Sequence, residues 1–290
     1  MLSKNQSSTS EQRESKSLLN REFHFTQENF EQIVSLVGEL TGISLTERKT
    51  DMVYSRLARR LRRLSLNDFA SYLELVKNDE QERTEFINSL TTNLTHFFRE
   101  SHHFDYLEKN YFPELFRNNK KKIRLWSAGC STGEEPYSLA MIWQTLNARP
   151  NDIDFKILAT DLDTNVLKKC REGIYSEEKL KAVADPYLKF FKQTAGCEAS
   201  ERKIHPKLKE LIFFKQLNLM HDWPMSGPLD LIICRNVLIY FDKPTQRDLV
   251  SRFYQLLAPN GCLMLGHSEN LSANRNMFNP LGKTIYRKVG

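Results

Sequence analysis

The spacing of apolar residues changes once along this chain, and that change limits the folds it can adopt. After residue 122, short apolar runs recur at 123–128, 155–160, 211–214, 229–234 and 261–266. Helical patterns fill several of the intervals between these runs, at 134–146, 164–171 and 245–257. Strands that alternate with helices in this way predict an α/β domain over residues 123–290, built on a parallel, doubly wound sheet.

The residues before this sheet have a different pattern. Apolar side chains recur there at helical spacing, as in Phe30, Ile33, Val34 and Val37, and again in Phe69, Tyr72, Leu73 and Val76. This spacing predicts an N-terminal all-α domain over 23–95, followed by a linker helix and loop over 96–122. Residues 1–22, rich in Ser, Gln, Lys and Glu, are predicted to form a disordered tail. Within the sheet domain the alternation of strands and helices is interrupted at about 173–208. This stretch is longer than an ordinary connection between a helix and a strand, which indicates an inserted subdomain.

The composition favours a globular protein of the cytoplasm. The 290 residues are 40% apolar, and 42 Lys and Arg against 36 Asp and Glu give a net charge of +6. The five cysteines are odd in number and widely spaced, with no Cys-x-x-Cys pair, which argues against a disulfide framework and a zinc site. No apolar run approaches the roughly 18–20 residues of a membrane span, and the first residues lack a signal sequence.

Small residues follow the first predicted strand, where the sequence of 128–133 is Ala-Gly-Cys-Ser-Thr-Gly. In a doubly wound sheet this loop approaches a cofactor closely, although an ordinary turn of small residues remains an alternative. The segment lacks the third glycine of G-x-G-x-x-G, which weakens a nicotinamide interpretation. Glu134 and Glu135 start the next helix, where the helix dipole alone is enough to explain acidic residues. If they face the cofactor cleft, they would instead repel a pyrophosphate and attract a sulfonium, which favours S-adenosylmethionine.

Polar side chains also follow two later strands. Asp161 ends one strand, in a position to accept hydrogen bonds from ribose hydroxyls, whereas Asp163 is as easily explained as the cap of the next helix. Arg235, Asn236 and Tyr240 follow another strand, where a substrate would react, although a buried tyrosine in a core loop is an equally common explanation. The linker sequence Thr-Thr-Asn-Leu-Thr-His-Phe-Phe-Arg-Glu at 91–100 is, by itself, better explained as a capped helix start.

Together these segments resemble the chemotaxis receptor glutamate methyltransferases of the CheR family. The resemblance runs in the family's order from about residue 25 to the end of the chain. The matching segments are 88–100, 126–138, 159–163, 234–241 and 266–270.

The resemblance implies a Rossmann-like S-adenosylmethionine methyltransferase sheet, an N-terminal all-α domain and a small inserted antiparallel β subdomain. It implies that S-adenosylmethionine is converted to S-adenosylhomocysteine, with no metal. The implied cofactor-binding residues are Asn93, Thr95, Arg99, Glu135, Asp161, Asn218, Leu219, Arg235 and Asn236. Arg99 and Tyr240 would also border the reacting groups as catalytic residues.

The implied acceptor is a glutamate carboxylate in the cytoplasmic helical bundle of a chemoreceptor. Because that carboxylate is ionised at neutral pH, with a pKa of about 4.3, the reaction needs no general base. His102, His103 and His267 are therefore expected to be structural or surface residues.

In some family members the inserted subdomain binds a receptor's C-terminal peptide through a turn that contains Arg-Gly. Residues 191–196 lack that pair, which argues against such tethering here.

A helix at about 48–64 carries basic residues beside an apolar stripe. A solvated basic face is the simplest explanation, and the resemblance implies receptor docking by Arg56, Arg59, Arg60 and Arg63. Membrane contact would then be only indirect, through receptors.

Two other functions remain open. In a nucleic-acid methyltransferase the basic helix would bind phosphates, but 235–240 lacks the Pro-Pro-aromatic segment of amino-directed base methyltransferases, and no nucleic acid is expected as a partner. A non-catalytic adaptor that binds receptors or S-adenosylmethionine is the second alternative. The retained Arg99 and Tyr240 argue against it.

Overall fold

The computed structural model describes residues 21–146, 152–194 and 196–289. Its contacts divide the chain into two units, one made of residues up to Leu40 with Ser44–Leu90, the other of Thr41–Ile43 with Thr91–Gly290. Most of the predicted tail, residues 1–20, lies outside the described residues. No helix in the described ranges combines the length and apolarity needed to cross a bilayer.

The first unit is all-α. Its helices are α1 (Gln27–Thr41), α2 (Thr50–Leu64), α3 (Phe69–Asn78) and α4 (Glu80–Leu90), with a 3-10 turn at Glu47–Lys49. The residues that recur at helical spacing form its core, in which Ile33, Val37, Val53, Leu57, Leu61 and Tyr72 are fully buried. Amphipathic helices that bury one apolar stripe each account for this unit, as the sequence predicted.

The second unit contains ten described strands, β1 to β10 in chain order. They are Lys122–Ala128, Asp154–Asp161, Ile174–Ser176, Phe191–Lys192, Glu201–Ile204, Ile212–Gln216, Leu229–Cys234, Leu257–Leu265, Phe278–Gly282 and Ile285–Lys288. Its helices continue the numbering as α5 (Ser101–Tyr106), α6 (Phe112–Arg117), α7 (Glu134–Thr145), α8 (Thr164–Glu172), α9 (Glu177–Leu180), α10 (Asp185–Leu188), α11 (Pro206–Lys209) and α12 (Lys243–Leu256). A π turn at Leu107–Tyr111 joins α5 to α6, and further 3-10 turns lie at Leu238–Tyr240 and Ser272–Met277.

Seven of these strands form the main sheet, in the order β6-β2-β1-β7-β8-β10-β9. The five strands from β6 to β8 are parallel, as predicted, and include fully buried residues such as Leu125, Ile157 and Leu231. The sheet as a whole is mixed, because β10 pairs antiparallel with both β8 and β9. Strand β9 lies at the sheet edge and is mostly exposed, and the inner strand β10 is mostly half-buried, so no continuous apolar run marked either strand in the sequence.

The segment predicted as an insertion forms a separate small sheet. Strands β3, β5 and β4 pair antiparallel in that order. Helices α9, α10 and α11 lie in the same part of the chain. This arrangement confirms the small antiparallel β subdomain, and its bounds at about 173–208 stay a prediction.

Candidate active site

The polar residues predicted for the cofactor site lie at one edge of the main sheet. Ala128 ends β1, Asp161 ends β2 and Cys234 ends β7, while Asn218 lies two residues after β6. Because these four strands are neighbours and parallel, their carboxyl ends lie side by side. Strand order reverses between β1 and β7, the position at which open α/β sheets bind ligands.

The loop after β1 is fixed by its own backbone. Gly129 has a φ of +84°, and a Cβ added there would collide with Val237 Cγ2. The amides of Gly129 and Cys130 donate to Thr160 O over 2.8 and 2.9 Å. Gly129 is therefore required by its backbone conformation and by its neighbour, in addition to the close approach of a cofactor that the sequence suggested.

Asp161 is held at the end of β2 by two backbone amides. Ser131 N donates to its Oδ2 over 2.8 Å, and Asp163 N donates to its Oδ1 over 3.0 Å. Burial raises the pKa of Asp161 to about 6 in spite of these bonds, which lower it. Additional donors would stabilise the ionised carboxylate, and a ribose offers two hydroxyls.

Asp163 links the linker segment to the sheet. Its Oδ1 accepts from Asn165 N over 2.8 Å, so the capping role suggested by the sequence is confirmed. Its Oδ2 also accepts from Thr91 Oγ1 over 2.7 Å and from Asn93 Nδ2 over 2.8 Å. Asn93, a predicted cofactor residue, is thus anchored beside the end of β2.

Glu135 and Arg235 form a buried ion pair. Arg235 Nε donates to Glu135 Oε2 over 2.9 Å, and Ser127 Oγ donates to Oε1 over 2.7 Å. Burial raises the pKa of Glu135, whereas Arg235 and Ser127 lower it. Arg235 Nη1 also donates to the backbone oxygen of Arg99 over 2.6 Å. Glu135 and Arg235 thus stabilise each other, and Arg235 also supports the backbone at Arg99. Contacts of Glu135 and Arg235 with a cofactor stay predictions.

His103 fixes the orientation of Arg235. Its Nε2 lies 2.9 Å from Lys283 O, and because a carbonyl only accepts, Nε2 carries the proton. Nδ1 is then the acceptor for Arg235 Nη1, 3.1 Å away. Burial, followed by the charge of Arg235, lowers the pKa of His103 to about 4, so the ring is neutral at pH 7. His103 is a buried structural residue, and His267, which contacts Glu100 Oε1 at 3.1 Å, is exposed.

Glu100, His102 and His103 are the one group of possible metal ligands found among the described residues. Their ligand atoms lie within 4.8 Å of one another. Both ring nitrogens of His103 already have partners, and the Arg235 guanidinium beside Nδ1 would repel a cation. This group does not fit a metal site, and the absence of a metal from the reaction stays a prediction.

The two predicted catalytic residues both contact backbone oxygens of residues 92–94. Arg99 is partly buried, and its Nη1 donates to Leu94 O over 2.8 Å. Tyr240, in the 3-10 turn after β7, directs its hydroxyl to Thr92 O at 3.5 Å. The structure thus brings Arg99 and Tyr240 to neighbouring parts of one segment, although 141 positions separate them in the sequence (240 − 99).

Three further predicted cofactor residues have local roles. Thr95 is partly buried in the linker. Asn218 Oδ1 accepts from Met220 N over 3.0 Å and so braces the turn after β6. Leu219 is buried in the core cluster that includes Trp126. Their contacts with a cofactor stay predictions.

Glu269 has a role that the sequence did not reveal. Its Oε2 accepts from Gly266 N and Asn236 N over 2.6 and 2.8 Å. Its Oε1 accepts from Val237 N and Ile239 N over 2.9 and 3.2 Å. The buried carboxylate therefore holds the loop that precedes Tyr240. The only sequence signal was its place in the 266–270 segment of the family resemblance.

The basic helix α2 does not expose all four predicted docking residues. Arg59 and Arg63 are exposed, and partly buried Arg56 donates from Nη1 to Leu90 O over 3.1 Å. The prediction for Arg60 is wrong. It is 9% exposed and forms ion pairs with Glu82 and Glu85 of α4, because its position on α2 faces that helix.

Two family models match this chain. The CheR methyltransferase, SAM binding domain, matches residues 93–287, and the CheR methyltransferase, all-alpha domain, matches residues 28–91. The chain is 45% identical over 271 residues to chemotaxis protein methyltransferase 2 of Pseudomonas aeruginosa, covering 92% of this chain and 95% of that protein. It is 44% identical over 263 residues to the chemotaxis protein methyltransferase of Escherichia coli, covering 89% of this chain and 90% of that protein. The chain therefore belongs to the CheR family and is an S-adenosylmethionine-dependent methyltransferase of chemotaxis.

Proposed function

We propose that this enzyme transfers the methyl group of S-adenosylmethionine to glutamate side chains of chemoreceptors, giving glutamate methyl esters and S-adenosylhomocysteine. The observation that supports this acceptor is the pair of Arg99 and Tyr240, both in contact with residues 92–94. A guanidinium and a phenol hydroxyl are donors suited to a carboxylate. The acceptor lies in the cytoplasmic helical bundle of the receptor, so the enzyme acts in the cytoplasm and meets the membrane only indirectly.

The chemistry requires alignment more than proton transfer. A glutamate carboxylate is ionised at neutral pH and attacks the methyl carbon in line with the departing sulfur. The carboxylate's negative charge and the sulfonium's positive charge are both consumed, so a dry site favours the reaction. Arg99 orients the carboxylate but must not hold it more tightly than the transition state. Arg99 and Tyr240 are accordingly positioning donors at the acceptor oxygen atoms.

The cofactor lies along the carboxyl edge of the sheet in this proposal, without a metal. Asp161 accepts from the ribose hydroxyls, a role supported by its position at the carboxyl end of β2. Asn93, Thr95 and Arg99 contact the cofactor from the linker. Glu135, Asn218, Leu219, Arg235 and Asn236 contact it from the sheet.

Replacing Arg99 with alanine is expected to lower methyl transfer about 100-fold, the usual cost of losing one well-placed donor. The measurement uses labelled S-adenosylmethionine and receptor-containing membranes, and scores base-labile label on receptor glutamates. Arg117→Ala, which removes an exposed arginine at the end of α6, is the matched control and should retain activity. Near-normal transfer by Arg99→Ala would remove this residue from the mechanism.

The same assay separates the proposed function from its alternatives. Label that appears on RNA or DNA supports a nucleic-acid methyltransferase. Cofactor binding without label on any substrate supports a non-catalytic adaptor. Either result would reject receptor glutamate as the acceptor.

We propose that Arg59 and Arg63 of α2, with a smaller contribution from Arg56, dock the enzyme on the acidic receptor bundle. Replacing either exposed arginine with glutamine should raise the KM for receptors severalfold and leave kcat unchanged. The effect should shrink as salt rises, because the Debye length is about 8 Å at physiological ionic strength. Lys77→Gln removes an exposed charge from α3 and is the control. A KM that is unchanged in both arginine variants at low salt would reject this docking surface.

A further inference from the structure

The inserted subdomain contacts the cofactor loop directly. The Tyr175 hydroxyl, on β3, donates to Thr132 O over 2.7 Å. Lys179, on α9, forms an ion pair with Glu134 Oε1, and its Nζ lies 3.5 Å from Thr132 Oγ1. Both residues of the insertion therefore reach the end of the loop at 129–133 and the first residue of α7.

Glu134 is paired through these contacts. Its side chain is fully buried, and its second oxygen accepts from Thr132 Oγ1 over 2.6 Å. Lys179, whose side chain is 40% exposed, supplies the cation from the solvent side. A buried carboxylate that loses its cation is strongly destabilised, so Lys179 fixes the conformation of the loop next to Glu134.

The insertion also contacts the linker through aromatic rings. Phe97 is buried, and its ring centroid lies 4.9 Å from that of Tyr175 and 5.2 Å from that of Phe191. Both pairs pack edge to face, a favourable geometry for aromatic rings. Phe97 lies two residues before Arg99, so the insertion braces the linker as well as the loop.

The fit at Gly133 leaves little room for the loop to move. Gly133 has a φ of +96°, and a Cβ added there would lie 2.9 Å from the Tyr175 hydroxyl and 3.0 Å from Cys170 Sγ. A shift of Tyr175 would therefore change the packing of the loop.

We propose that the inserted subdomain is a positioning element of the cofactor site, acting through Tyr175 and Lys179 on the loop at 129–133 and through Phe97 on the linker. The inference rests on the proposed function only in taking this loop as part of the methyl-donor site. Neither residue needs to touch the cofactor. Each acts by holding a segment that does.

Lys179→Met tests this role, with binding of S-adenosylhomocysteine measured by calorimetry. We expect binding about tenfold weaker, because an unpaired buried carboxylate will shift the loop. The KM for S-adenosylmethionine should rise by a similar factor, while the KM for receptors stays within about twofold of wild type. Lys179→Arg keeps the positive charge, so its affinity for S-adenosylhomocysteine and its KM for S-adenosylmethionine should stay close to those of the wild type. Lys181→Met, which removes an exposed ion pair with Glu178 near the same helix, should change neither.

Tyr175→Phe keeps the ring against Phe97 and removes only the bond to Thr132, so about threefold weaker binding is expected. It also tests the proposal if Lys179→Met does not fold. Wild-type binding in both variants, or lower thermal stability with unchanged binding, would overturn the inference. Because binding needs no receptor, failure of receptor methylation in the wild-type enzyme would reject the proposed acceptor and leave this test intact.

Discussion

Glu269→Gln is expected to lower kcat about 100-fold, the loss that a misplacement of about 1 Å causes in an active site. The carboxylate accepts four backbone N–H groups, two on each oxygen. Glutamine has nearly the same shape, but its NH2 group would face two N–H donors that then have no acceptor. Each lost bond to a charged group costs about 1.5–3 kcal/mol. The loop that precedes Tyr240 would therefore move.

The backbone at Asn236 makes this loop sensitive. Asn236 has a φ of 58°, in the left-handed region that few residues other than glycine adopt. Glu269 accepts from the amides of Asn236 and of the following Val237, and so holds this conformation from both sides. The effect of Glu269 on the proposed reaction is therefore expected to pass through Asn236 and Tyr240.

The measurement is steady-state methyl transfer at saturating cofactor and receptor, with melting temperature recorded in parallel. Glu178→Gln, at an exposed carboxylate, is the control and should behave as wild type. Glu269→Asp keeps the charge but shortens the side chain, and should recover part of the rate. A Glu269→Gln enzyme with wild-type kcat would show that the loop does not need this carboxylate.

Arg235→Met is expected to lower the free energy of unfolding by about 3–5 kcal/mol, because it leaves Glu135 buried without a cation. Glu135 and Arg235 are each 8% exposed, so water does not replace the lost partner. The same change removes the donor to the backbone oxygen of Arg99. Cofactor binding should therefore weaken along with stability.

The double variant Arg235→Met/Glu135→Gln separates these two effects. With no charge left buried, much of the stability should return, while binding of S-adenosylhomocysteine should stay weak because the linker is still unsupported. Denaturant unfolding measures the free energy of unfolding, and calorimetry measures the binding of S-adenosylhomocysteine. Arg287→Met, which breaks the partly exposed pair with Glu114, is the control and should cost less than Arg235→Met. A double variant as unstable as the single one would contradict the assignment of the loss to Glu135.

The arrangement of the fold was largely predictable because it depends on local patterns. Buried parallel strands are continuous apolar runs, and the helices between them have a period of 3.6 residues. Strands β9 and β10 were missed because β9 is mostly exposed, β10 is mostly half-buried, and the two follow one another without a helix. The sequence also placed Asp161 and Arg235 at strand ends, and parallel pairing brought those ends together.

The sequence alone determined the kind of protein this is, through five separated segments that resemble one family and through the two hydrophobic periods. Only the tertiary structure decided which charged residues meet. Arg60 was predicted to be exposed, yet it pairs with Glu82 of another helix, 22 positions away. Arg235 pairs with Glu135 across 100 positions. The physical reason is that helical and strand periods fix which way a side chain points on its own element, whereas its partner depends on how distant elements pack.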